Sequence, residues 1–273
     1  MSTNGVNISG ESAPLELRGA GLGSGSDVRL RPTDLLFEPG TVTSIIGPNG
    51  SGKSTLLGLM SGDTRPTSGL VLMNGSQSAN LNATMLARHR SLLAQDTAVS
   101  FPFLVHEVVA WGRLAWRRTP SAGDDGPIID AAIESQGLAA LRDRRVTELS
   151  GGEQTRVHLA RVIAQRTALM LLDEADADLD LVGRSHLDET IAALALEGRT
   201  IVLVSHDINR VARLSQRLIV ISAGGVTADG PPQEVLTAGI LGAAFGATVE
   251  VGNDDGHPVV RLPATTRRGP MPG

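Results

Sequence analysis

Three glycines, a lysine and a hydroxyl stand at fixed spacing in Gly47-Pro48-Asn49-Gly50-Ser51-Gly52-Lys53-Ser54, which fits G-x-x-x-x-G-K-[ST]. Glycines at those positions let backbone N–H groups close on phosphate oxygens, and a helix starting there turns its positive end to the same anion. Lys53 then reaches the β- and γ-phosphates, Ser54 ligates Mg2+, and Thr55 opens the helix. Of the 24 basic residues Lys53 is the sole lysine; every other one is arginine. A compact ammonium fits between phosphates in a tight loop where a planar guanidinium is too broad. Farther along, the apolar run 168–172 ends in Asp173-Glu174. One carboxylate is placed for Mg2+, directly or through water, and the next for an attacking water. Taken alone, an acid at a strand end serves equally as a helix cap.

These groups need a strand before the loop and a helix after it, and residues 42–46 and 55–60 supply both. Residues 42–46, 168–172, 201–204 and 218–221 are near-continuous apolar runs, as expected of strands buried on both faces of a parallel sheet. Leu159, Val162 and Ile163 fall at helical spacing, with Arg156, Arg161 and Arg166 expected on the opposite side. Ala223-Gly224-Gly225 predicts a hairpin turn into an antiparallel strand over 226–228. Residues 98–148 carry both tryptophans and a Pro/Gly/Asp loop at 120–127, and read as a helical insertion. The fold class is therefore α/β. A net charge of −5, four Phe, two Trp and no Tyr argue against a nucleic-acid partner, and the absence of cysteine excludes disulfides and thiolate sites. No apolar run reaches membrane-spanning length and the start lacks a signal-peptide pattern, so the expected location is the cytoplasm. Residues 1–13 and 264–273 read as disordered ends around one domain, 14–250, with a C-terminal extension over 251–273.

Leu149-Ser150-Gly151-Gly152-Glu153-Gln154 matches the six-residue signature of ATP-binding-cassette (ABC) ATPases, and the chain resembles an ABC nucleotide-binding subunit over roughly residues 14–250. The family's motifs occur in the family's order: phosphate loop, Gln95 in a Q-loop, signature, Asp173-Glu174, a D-loop ending in Asp180, and His206. The resemblance implies a P-loop NTPase (RecA-like) cassette with an antiparallel β portion and a helical subdomain, 98–148, inserted between Q-loop and signature. It also implies a head-to-tail homodimer. Each ATP then lies between one copy's phosphate loop (Gly47, Pro48, Asn49, Gly50, Ser51, Gly52, Lys53, Ser54, Thr55) and the other's Ser150, Gly151, Gly152 and Glu153, with Asp180 nearby. Glu174 is the implied general base, His206 the γ-phosphate contact, and Gln95, with Ser54 and Asp173, belongs to the Mg2+ and lytic-water set.

Two departures stand out. The family's Pro-Thr after the glutamate is Ala175-Asp176 here, giving the acidic run Asp173, Glu174, Asp176, Asp178, Asp180. A calcium loop starting at Asp176 is excluded, because Leu181 and Leu187 fall where Gly and Glu are required. The aromatic that often stacks adenine is missing from residues 14–36, and Phe37 is too close to the strand, so adenine should be held loosely. The other histidines lack metal spacing and read as surface or helix-face residues, Met60, Met73, Met85 and Met170 as core, and Arg142, Arg144 and Arg145 as a solvated face.

About 96 residues separate Lys53 from Leu149, too few for the coiled coil of soluble DNA-repair relatives, and there is one cassette only, unlike translation factors. Transport is thus favoured over a soluble ATPase. The segment after Gln95, including Phe101-Pro102-Phe103, is similar to importers of heme, iron-siderophore and cobalamin, and with 256–263 leans toward the hemin-import ATPases. That resemblance implies a membrane permease docked near residues 99–111, with Phe101, Phe103 and Leu104 as anchors, a peripheral position on the cytoplasmic face, and indirectly a substrate-binding protein.

Overall fold

The computed structural model describes residues 12–25, 27–95 and 101–263. Apart from Ser12 and Ala13, the ends expected to be disordered lie outside the described residues, as do positions 96–100, of which 99 and 100 belong to the segment expected to meet a permease. The chain begins β1 (Leu15–Leu22), β2 (Leu30–Phe37), β3 (Val42–Ile46), α1 (Lys53–Ser61), β4 (Ser68–Met73), β5 (Ser76–Gln77), α2 (Ala83–His89) and β6 (Arg90–Leu93). Then come α3 (Val105–Ala110), α4 (Asp125–Ser135), α5 (Gly151–Ala164), β7 (Leu169–Asp173), α6 (Leu181–Leu196), β8 (Thr200–Val204) and α7 (Ile208–Leu214). It closes with β9 (Arg217–Ser222), β10 (Gly225–Gly230), α8 (Pro232–Val235), α9 (Ala238–Phe245), β11 (Glu250–Asp254) and β12 (His257–Arg261).

Two sheets face each other. The larger has the order β10-β9-β3-β8-β7-β6, parallel except for β10; the smaller is antiparallel, β2-β1-β4-β5; β11 and β12 form a hairpin. The predicted strands fall within a residue or two of their expected ends, and Ala223-Gly224 makes the β9–β10 turn. Continuous apolarity in the central strands has a direct cause, because alternate side chains enter different cores. Ile201 and Leu203 of β8 pack with α6, α7 and α9, whereas Val202 and Val204 pack with α1 and the antiparallel sheet. Met170 and Leu172 of β7 take the first side, Leu169 and Leu171 the second.

Residues 105–148 build a third core of Val105, Val108, Val109, Ile128, Ile133 and Leu138. The insertion is helical as predicted, although much of it is 3-10 turn, over Trp111–Trp116, Pro120–Asp124, Ala139–Leu141 and Val146–Glu148. α5 belongs to both sides: Leu159 and Val162 join the sheet core, Val157, Ala160 and Ala164 the insertion core. That double burial corrects the expected solvent face. Arg161 is largely buried, its guanidinium donating to the Leu92 carbonyl at 3.4 Å, and Arg166 lies beyond the end of the helix.

Candidate functional site

The loop 47–52 leaves the carboxyl end of β3 and enters α1, at the middle of the parallel sheet. A Cβ on Gly47 would lie 2.1 Å from the Ile221 carbonyl oxygen, and Gly52, which precedes α1, has φ +107°. No other residue fits the first space or adopts the second backbone without strain. Lys53 is buried; its ammonium donates to the carbonyls of Gly47 at 2.9 Å and Pro48 at 3.0 Å. Burial pulls its pKa below the ordinary lysine value, opposed by the charges of Glu174 and Asp173. Ser51 is buried with its hydroxyl unpartnered, and Ser54 is exposed at the loop's mouth. A cleft of about 400 Å³ opens there, lined by Gly50, Gly52, Lys53, Ser54 and Thr55, and by Val28, Arg29, Ala223 and Gly224.

β8 lies beside β3 and β7 beside β8, so their carboxyl ends bring His206 and Asp173-Glu174 to the same edge. Glu174 carries a non-glycine φ of +49° and its N–H donates to the Val204 carbonyl at 3.0 Å. Such left-handed backbone is strained, and here it sits at the residue expected to act as the general base. Both carboxylate oxygens are engaged: Oε2 accepts from Gln95 Nε2 at 2.8 Å, and Oε1 lies 2.7 Å from His206 Nε2. Burial raises the pKa of the half-buried Asp173, the adjacent Glu174 charge raises it further, and Lys53 and His206 oppose both. A hollow of about 320 Å³ adjoins the pair, lined by Glu174, Asp176, Ala177, Arg184, His206 and Asp207. Another hollow of about 420 Å³, between α4 and α6, contains none of the expected site residues.

The signature lies elsewhere in the chain. Ser150 caps α5, its Oγ accepting from the Glu153 N–H at 3.4 Å and donating to Glu153 Oε2 at 2.8 Å, while the Ser150 N–H donates to that same oxygen at 2.8 Å. These bonds hold the Glu153 carboxyl below the usual range. A Cβ on Gly152 would lie 3.4 Å from the Asp178 carbonyl, so the helix start packs against the D-loop of its own chain. Asp180 caps α6, accepting from the Gly183 N–H at 2.7 Å. None of these residues lines the phosphate-loop cleft or the hollow beside Glu174.

Ser54 and Asp173 offer hard oxygen donors that, with phosphate oxygens and water, suit Mg2+. Among the described residues no cluster of His, Asp and Glu could hold a metal by itself. Val28, Arg29 and Arg184 were not foreseen: no motif contains them, and only the return of 27–30 to the phosphate loop shows the first two. No lining residue of the phosphate-loop cleft is aromatic, and Phe37 is fully buried. Two further expectations are corrected. Met85 is exposed at 44%, because it lies in the first turn of the short α2. His158 is buried in α5 with both ring nitrogens unpartnered, and burial lowers its pKa to about 4.

Residues 30–177 match the family model described as ABC transporter. The chain is 40% identical over 267 residues, 94% of its length and 99% of the relative's, to the hemin import ATP-binding protein HmuV of Rhodopseudomonas palustris strain HaA2. It superposes on cbiO1 of Clostridium perfringens, part of the ABC transporter complex cbiONQ, with TM-score 0.72 at 27% identity, covering 85% of this chain and 93% of that one. A dimeric ATP-binding cassette in a post-hydrolysis state with ADP and Pi gives TM-score 0.70 at 26% identity, covering 80% and 98%.

Proposed function

Since the chain belongs to the ABC transporter family of ATP-binding proteins, we propose that it is the ATP-hydrolysing subunit that powers hemin import through a separate membrane permease. The observation that carries the chemistry is the grip of Gln95 and His206 on Glu174 beside the phosphate loop. The observation that carries the substrate is the 40% identity to a hemin-import ATPase over 94% of the chain.

In this reading the loop amides of 47–52 receive the β- and γ-phosphates, and Lys53 leaves the Gly47 and Pro48 carbonyls to reach them. Val28, Arg29, Ala223 and Gly224 line the way to the base, and among the described residues the cleft offers it no aromatic platform. Ser54 and Asp173 would hold Mg2+, which withdraws charge from the phosphates when bound. Asp173 is raised by burial and by Glu174, so a cation there draws it back to the charged form. Glu174 then takes a proton from water at Oε1 or Oε2, with Gln95 and His206 fixing the direction of the lone pairs.

Ser150, Gly151 and Gly152 lie outside this chain's own phosphate cleft, which supports a head-to-tail pair of copies in which they meet the partner's γ-phosphate. The Ser150 hydroxyl gives up its bond to Glu153 to do so. Phe101 is 68% exposed and Phe103 38%, with Phe103 edge-on to Trp111 at 5.0 Å, a surface suited to a permease helix at the cytoplasmic face. No helix among the described residues is long and apolar enough to cross a membrane. A substrate-binding protein would deliver the cargo, which never touches this chain.

The test is growth of a deletion strain on hemin, on a ferric siderophore or with limiting cobalamin. Failure on hemin alone, restored by the intact gene and not by Glu174→Gln, is expected. Loss of siderophore or cobalamin use with hemin use intact overturns the substrate.

A further inference from the structure

The acidic run behind Glu174 contains a residue with no place in the reaction described so far. Asp176, where the family pattern has Thr, is buried, and a buried carboxylate needs a cation. It has one: Arg210 Nη1 lies 3.2 Å from Asp176 Oδ2. The same guanidinium donates from Nε to Asp188 Oδ1 at 2.8 Å, with Nη2 2.6 Å from that oxygen. Only Nε is aligned as a hydrogen bond; Nη1 and Nη2 hold by charge. Arg210 is itself 8% exposed, so water screens these contacts little.

The positions of the three residues give the cluster its meaning. Asp176 is two residues past Glu174, Arg210 is four past His206 on α7, and Asp188 lies on α6, the helix capped by the D-loop residue Asp180. One guanidinium thus ties together the three segments that carry Glu174, His206 and the D-loop residue Asp180. Ala175 leaves the loop without the ring constraint of the family's proline, and the ion pair restrains the same stretch from the side chain.

We propose that Arg210, held by Asp176 and Asp188, is a positioning residue for ATP hydrolysis: it fixes the loop of Glu174 against the helix behind His206, and so the 2.7 Å contact between them. It touches no nucleotide. The inference rests on the reading of Glu174 and His206 as hydrolytic groups. Catalytic pairs must be held to about 0.5 Å, and a misplacement of about 1 Å costs on the order of 100-fold in rate.

The experiment measures steady-state hydrolysis of ATP with magnesium by the full chain, together with thermal melting. Arg210→Lys keeps the buried charge and loses the planar fork that reaches both carboxylates. It should lower kcat by about tenfold or more while KM for ATP stays within about twofold and the melting temperature within a few degrees. Asp176→Thr combined with Arg210→Leu removes both buried charges together and leaves only Asp188, whose side chain is 34% exposed to water, without its partner; it should show the same split. Glu174→Gln is the reference. If Glu174→Gln is dead and either clamp variant turns over at the parental kcat, the clamp is refuted and the hydrolytic site stands. If kcat, KM and melting temperature all deteriorate together in both variants, Arg210 is only structural and the proposal falls. If Glu174→Gln hydrolyses at the parental rate, the site reading itself fails and takes the clamp with it.

Discussion

Phe101→Ala separates a docking surface from a core. The Phe101 side chain is 68% exposed, so about a third of its area is withdrawn from water, with an edge-on Phe103 ring at 6.3 Å as its aromatic neighbour. Full burial of such a side chain stabilises by about 1.5 to 3 kcal/mol, so a third corresponds to roughly 0.5 to 1 kcal/mol. For a chain of this size that lowers the melting temperature by about 1 to 4 °C. Phe103, 38% exposed and packed on Trp111 at 5.0 Å, is held more tightly, and Phe103→Ala adds roughly 1 to 2 kcal/mol of lost burial and up to about 1.5 kcal/mol of aromatic pairing. The single variant Phe101→Ala is therefore the clean probe. The free chain should melt within about 4 °C of the parent and hydrolyse ATP at the parental rate. In proteoliposomes with the permease, removal of an anchor worth more than about 1 kcal/mol should lower import by roughly fivefold or more. A fall of 10 °C or more with loss of basal hydrolysis would show that Phe101 belongs to the insertion core, and unchanged import would show that no partner uses it.

Glu174→Gln should bind ATP and accumulate as a dimer while turnover falls by at least about 100-fold, measured by nucleotide binding and phosphate release; parental turnover would place the base elsewhere. Lys53→Arg should lose nearly all turnover and much ATP affinity, because a fork cannot occupy the point between the Gly47 and Pro48 carbonyls and then reach phosphate; titration with ATP decides it. His158 has a folded pKa of about 4 against 6.5 unfolded, so below about pH 6.5 the unfolded chain takes up a proton that the folded chain refuses. Stability should fall by about 2 kcal/mol between pH 8 and pH 5, and denaturation of His158→Leu should show that much less pH dependence; an identical slope would mean that the ring is solvated.

The phosphate loop and the central strands were legible because their constraints are local. Gly47 and Gly52 are dictated by one close approach and one backbone angle, and strands such as β8 are apolar throughout because both of their faces are buried. What eluded the sequence depends on which remote segments meet. Val28 and Arg29 reach the phosphate cleft from a turn with no motif, and Arg210 reads as an ordinary helix-face arginine until α6 and the Asp176 loop close over it. Arg161 was misplaced for a related reason: α5 is sandwiched between two cores, so a periodicity suited to one buried face could not assign its sides.

The hairpin of β11 and β12 has a consequence for how the chain is made. It closes on α7 through Asn209, whose side-chain amide pairs with both the N–H and the carbonyl of Val260, at 2.8 and 3.1 Å, as a neighbouring strand would. Arg213 at the other end of α7 meets Asp254 at 2.7 Å. α7 is the helix directly behind His206, and its outer cover leaves the ribosome some fifty residues after it does, a delay of roughly 3 to 10 seconds at ordinary rates of synthesis. A nascent chain is thus without a finished His206 support until β12 has been made, and a message cut short before residue 250 yields a polypeptide with the motifs from Gly47 to His206 but without the brace behind the last of them.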